Sequence, residues 1–185
     1  MKQIVITFII IACSTTINSQ EKLSIDISKS TINWKGFYLF HFNGHDGAVQ
    51  FKEGYIIKTN GNISGGSYTI DMNTITNSDI EKEDDKTELV NHLKSDDFFG
   101  VKDHPAAKLV ITDVAYKDAT HLNIEANLTM KGITKLIRFG AELINNGSHI
   151  KARFKINRQL WDINFNFIKD SAISDAIEFN VELYF

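Results

Sequence analysis

Hydrophobic and polar positions alternate along most of this 185-residue chain, and one stretch near its middle breaks the rhythm. Alternation is clearest over 122–130, where Leu122, Ile124, Ala126, Leu128 and Met130 interleave with Asn123, Glu125, Asn127 and Thr129. Successive side chains of a strand point to opposite faces, so this pattern predicts a strand with one buried and one wet face. The same period predicts strands over 32–42 (Ile32, Trp34, Tyr38 and Phe40 on one face), 47–58 (Val49, Phe51) and 66–75 (Tyr68, Ile70, Met72). It returns from 107 onward (Leu109, Ile111), over 137–143 (Ile137, Phe139), over 150–156 (Ile150, Phe154) and over 177–185 (Ile177, Phe179, Val181). Asn43-Gly44, Asn60-Gly61, Lys131-Gly132 and Asn146-Gly147 supply turn chemistry between these runs. Gly54 marks a bulge or bend inside its strand, and residues 157–173 read as irregular around Trp161.

The break falls at Asp79–Lys94, which is rich in Asp, Glu and Lys and carries only a thin apolar edge. Leu89 and Leu93 are four apart and share one helical face. Acidic residues crowd its start and His92 and Lys94 sit at its end, an order that suits the helix dipole. Ser95 is expected to open a short turn as its N-cap, with Asp96 and Asp97 at the positive end. Such a helix is a surface cover. The pattern therefore predicts an all-β fold: about eight strands, mostly hairpin-linked, closing an antiparallel barrel, with one helical insertion. Closure removes the exposed sheet edges. An eight-stranded barrel is just wide enough to be filled by side chains or to hold one slender ligand, and alternation does not distinguish the two.

Composition adds bounds. The formal charge of −3 is small and mixed in sign, with no basic stripe, which argues against nucleic acid as a partner. Lys2 followed by the short apolar run Ile4–Ala12 reads as an export signal, too short to span a bilayer. Two processing routes stay open. Cleavage after Ser19 would leave residues 20–185 as one domain without cysteine, in the periplasm or outside the cell. Ile10-Ile11-Ala12-Cys13 alternatively resembles a lipobox, which would anchor the protein to a membrane through Cys13.

The six histidines offer no ligand-spaced set on a helix, because His41 and His45 bracket an expected hairpin; no metal site is expected. Asp96 and Asp97 lack an accompanying base or nucleophile, and no catalytic residue is expected.

Several motifs resemble the YceI-like family. They are His92-Leu93-Lys94-Ser95-Asp96-Asp97-Phe98-Phe99 followed by His104-Pro105, Asn127 to Lys135 with Lys131-Gly132 at its turn, and Ile156-Asn157-Arg158 followed by Trp161-Asp162-Ile163. The resemblance implies a lipocalin-like barrel, hollow rather than filled, with the helical segment over one end. It also implies a non-enzymatic carrier, without a cofactor, for a polyisoprenoid, an isoprenoid quinone or a similar lipid. The expected channel wall then includes Trp34, Tyr38, Phe40, Phe51, Tyr68, Ile70 and Met72 from the first half of the barrel. Leu109, Ile111, Leu122, Ile124, Phe139, Phe154, Trp161 and Phe179 extend it, and Phe98 and Phe99 join from the covering segment. Arg158 is a candidate partner for an anionic head group, against the plainer role of an arginine that holds the following turn. A ligand-free interaction module of the cell envelope is the alternative function, and a homodimer stays open. Residues 89–109 are expected to act as a lid or plug.

Overall fold

The computed structural model describes residues 19–39, 44–165 and 173–185, the side chain of Asn146 aside. Nine strands form: β1 (Gln20–Ser24), β2 (Thr31–Tyr38), β3 (Asp46–Thr59), β4 (Asn62–Asp71), β5 (Ala106–Tyr116), β6 (His121–Met130), β7 (Ile133–Ile144), β8 (His149–Asn157) and β9 (Ile173–Tyr184). Each of β2 to β9 pairs antiparallel with the next, and β9 pairs back onto β2, so eight strands close the expected barrel.

The ninth strand is an addition to the sequence reading. Gln20–Ser24 has one apolar residue, Leu23, and no alternation to reveal it. It pairs with the far half of β3, from Gln20↔Thr59 to Ser24↔Tyr55, on the edge that β2 occupies nearer the start of β3. The long β3 therefore has both halves covered.

Two-residue turns follow the chemistry expected of them. Asn60 and Gly61 have φ of 53° and 82°, and Lys131 and Gly132 have 47° and 72°. Positive φ at both central residues matches the right-handed twist of the flanking strands. The β3–β4 pairing shifts register between Phe51 and Glu53, next to Gly54. A Cβ on Gly54 would lie 2.7 Å from the Tyr68 ring, so the glycine is needed for that ring to cross the neighbouring strand. Another shift, between Gly36 and Tyr38, ends the regular pairing of β2 with β9.

The helical insertion is α1 (Glu83–Lys94), four residues shorter at its start than the charge pattern predicts. The preceding segment is bound to the barrel rim instead. Thr76 N–H donates to Ala48 O (2.9 Å) and Ser78 N–H to Asp46 O (2.8 Å). Ser95 also differs from expectation. It is the C-cap of α1, and its hydroxyl donates to His92 O at 2.7 Å, so its side chain closes the helix rather than capping the turn that follows. Its carbonyl accepts from Phe98 and Gly100 N–H, which folds the chain back beneath the helix.

Strand direction places α1, the β6–β7 turn and the β8–β9 connection at one end of the barrel. At the opposite end Ile56, Ile63 and Leu122 are almost completely buried. That end is a packed core.

Candidate functional site

The barrel is hollow at the α1 end. A cavity of about 230 Å³ opens inside it, lined by inward residues of all eight ring strands. One water needs only about 10–15 Å³ on such a measure, and a cavity lined by Leu, Ile and Phe stays dry. Leu89, His92 and Leu93 of α1, with Phe98 and Phe99 just after it, form the roof. The expected lid is thus in place over the hollow end.

Most of the predicted wall is brought together. Trp34 and Tyr38 come from β2, Phe51 from β3, Tyr68 and Ile70 from β4, Leu109 and Ile111 from β5, and Ile124 from β6. Phe139, Phe154 and Phe179 from β7, β8 and β9 form a row of rings across three strands, with centroids 4.4 Å and 5.7 Å apart. Met72 also lines the cavity, from a short 3-10 turn after β4 rather than from the strand. Phe40 lies outside the described residues.

Two expected wall residues are elsewhere. Leu122 faces inward but sits at the packed end, fully buried and away from the hollow. Trp161 is also fully buried outside the cavity, and its Nε1–H donates to Leu128 O at 3.0 Å. It fastens the turn after β8 to β6.

Arg158 has its side chain at the cavity edge but its guanidinium is committed. Only 1% of the residue is exposed. Nε donates to Ser174 O (3.2 Å), an Nη donates to Ile163 O, and Asp175 stands 3.9 Å away. These bonds join the turn after β8 to the start of β9, so the plainer role, holding the turn, is the one the geometry supports.

The sequence reading missed a polar chain at the rim. Tyr38 and His45 both line the cavity; the Tyr38 hydroxyl and His45 Nε2 are 2.8 Å apart, and His45 Nδ1 lies 2.9 Å from Asp79. Asp79 also accepts from Asp46 N–H and from the Asn77 side chain. Burial alone would raise the Asp79 carboxyl, but these hydrogen bonds outweigh it and hold it below the usual carboxylate range. His45 and Asp79 are 34 residues apart, so no local spacing reveals them.

His92, expected only as a helix end, turns its ring inward against Phe98 and Phe165, with centroids 5.8 Å and 4.2 Å away. Trp34 Nε1, the Tyr68 hydroxyl and His92 Nε2 are buried without a hydrogen-bond partner. Burial pushes the Tyr68 phenol far above its ordinary pKa, so it stays protonated. No group of three or more metal-ligating residues occurs among the described residues. No helix among them is long and apolar enough to cross a membrane.

A closed eight-stranded antiparallel barrel, packed at one end and hollow under a helical roof at the other, is a lipocalin-like architecture. The YceI-like domain family matches residues 23–185, and the chain belongs to it. A UPF0312 protein of Pectobacterium carotovorum is 30% identical over 133 residues, which cover 70% of this chain and 62% of that protein. The chain thus spans less than two thirds of the length of that relative. Among solved structures, Burkholderia cenocepacia BcnA superposes with a TM-score of 0.68 at 19% identity, covering 86% of this chain and 98% of BcnA. A polyisoprenoid binding domain from Saccharophagus degradans, implicated in plant cell wall breakdown, gives 0.62 at 14% identity, covering 87% and 97%. At these identities the two structures establish the shared fold.

Proposed function

We propose that this chain is an exported, non-enzymatic carrier that holds the hydrocarbon part of a long-chain amphiphile in the barrel, for transport, storage or sequestration. A polyisoprenoid or isoprenoid quinone fits the reading, and the polyisoprenoid-binding neighbour supports it. The observation that carries it is the apolar cavity under the α1 roof. Each buried methylene contributes about 0.8 kcal/mol, set against the cost of ordering the chain. The polar rim of Tyr38, His45 and Asp79 would stand beside the head group. Lys2 and the apolar run Ile4–Ala12 support export. Purification under native conditions, followed by organic extraction and mass spectrometry, tests the reading. A stoichiometric long-chain lipid is expected. Recovery of none, together with failure of the stripped protein to take up any added lipid, would remove it.

The roof sets access. Phe98 and Phe99 both line the cavity, but Phe99 is half-buried whereas Phe98 is buried as part of the core. Phe99→Ala should therefore open the roof while the fold survives. Stopped-flow release of a preloaded fluorescent lipid is expected to quicken by about tenfold, the equivalent of about 1.4 kcal/mol. An unchanged rate in the folded variant would show that the roof does not gate release.

A further inference from the structure

The charges around the hollow end restrict what kind of head group it accepts. Resting on the carrier reading above, we infer that the ligand carries an uncharged, oxygen-bearing head group, and that the lid selects against phosphate- or diphosphate-headed lipids of the same chain.

A buried or half-buried anion needs a partner of opposite charge or several hydrogen-bond donors. Among the described residues lining the cavity, Arg158 is the one with a permanent positive charge. Its guanidinium is turned onto Ile163 O and Ser174 O, with Asp175 beyond, and moving it to a ligand would break the junction between β8 and β9. His45, at the rim, is already held between Tyr38 and Asp79. The carboxylate at the end of that chain adds a negative charge beside the mouth.

The lid strengthens the effect. Residues 79–105 contain nine Asp and Glu against four Lys, although the whole chain has a formal charge of only −3. Glu81, Glu83, Asp84, Asp85, Glu88, Asp96, Asp97 and Asp103 are all exposed. Lys82 pairs with Asp85 (2.8 Å) and Lys86 with Glu83 (3.1 Å), which leaves a surplus of acid over the mouth. An anionic head group would meet this field on approach and at rest. An alcohol, carbonyl or amide oxygen would not. Hydrogen-bonding groups are available to it: His92 Nε2 beneath the roof and Trp34 Nε1 on the wall have no partner. The sign of the lid and the absence of an uncommitted permanent cation among the described lining residues point the same way, by independent routes.

Phytane, phytanol and phytanyl diphosphate share one branched chain and differ only in the head. Titration calorimetry of the stripped protein with each, at about pH 8 where an ordinary histidine is neutral and at low salt, tests the inference. Phytanol is expected to bind at least about tenfold more tightly than the diphosphate, with phytane still binding. In the double variant Asp96→Asn with Asp97→Asn, the diphosphate should gain about threefold and phytanol should not change. Diphosphate affinity equal to or above that of phytanol would overturn selection against anions. A double variant that leaves the diphosphate unmoved, or moves phytanol equally, would overturn the role of the lid charge. Failure of all three compounds to bind would instead overturn the carrier reading itself.

Discussion

Trp161→Ala is expected to lower the unfolding free energy by about 3–5 kcal/mol, the range for removing a fully buried tryptophan. At about 2–4 °C per kcal/mol for a chain of this size, the melting temperature should fall by roughly 10 °C. Two losses combine. The indole is fully buried in the turn that follows β8, and its N–H is bonded to Leu128 O on β6. That contact ties the turn after β8 to β6, a strand that is not a neighbour of β8 in the ring. Trp161→Phe separates the losses, because it keeps most of the volume and removes only the hydrogen bond, worth about 1 kcal/mol. Denaturant titration of both variants checks the expectation. If Trp161→Ala unfolds at the same denaturant concentration as the parent, the residue is not the fastener described here.

The second large effect concerns the hollow. Ala152 lies on the inner face of β8 and lines the cavity between the Ile150 and Phe154 positions. Ala152→Trp would place an indole where the ligand chain is proposed to lie. In a packed core such a change costs about 1–3 kcal/mol through strain. Here the space exists, so stability should stay within about 1 kcal/mol of the parent while lipid recovered by native extraction falls to background. Full recovery of lipid by a folded variant would place the ligand elsewhere. A large loss of stability would show that the space is not available to a side chain. Trp161→Ala and Ala152→Trp thus test opposite properties of one barrel: tight packing outside the hollow, and tolerance within it.

The contrast between Leu122 and Ile124 shows where sequence reading stops. They are two apart on β6, both face inward and both are buried, yet only Ile124 lines the cavity. Alternation reports the face of a strand and says nothing of depth along the barrel. Depth depends on how strands from distant parts of the chain stack, as when Ile56 and Ile63 meet the Leu122 level. The barrel itself was legible, because eight amphipathic runs and the Asn60-Gly61 and Lys131-Gly132 turns each carry a local physical signature. β1 lacked one, since its partner β3, rather than its own polarity, makes it a strand. The roof was legible through its charge order. The Tyr38–His45–Asp79 chain was not, because its members come together only when the segment before α1 settles on the rim.

Barrel closure also has a consequence for the order of events in synthesis. β2 and β9 lie side by side, with Thr31 opposite Glu182, and the seam is extended where Asp26 N–H donates to Tyr184 O and Tyr184 N–H to the Ser30 hydroxyl. The ring cannot shut until residues 173–184 have been made. Until then β2 and β8 each present an open edge, the kind of edge that templates aggregation. Joining segments about 150 residues apart also places the reward for folding at the end of a long search. A nascent chain of this protein therefore carries β2 with its barrel partner still missing until β9 is made, and the seam of the ring is the last pairing that can form.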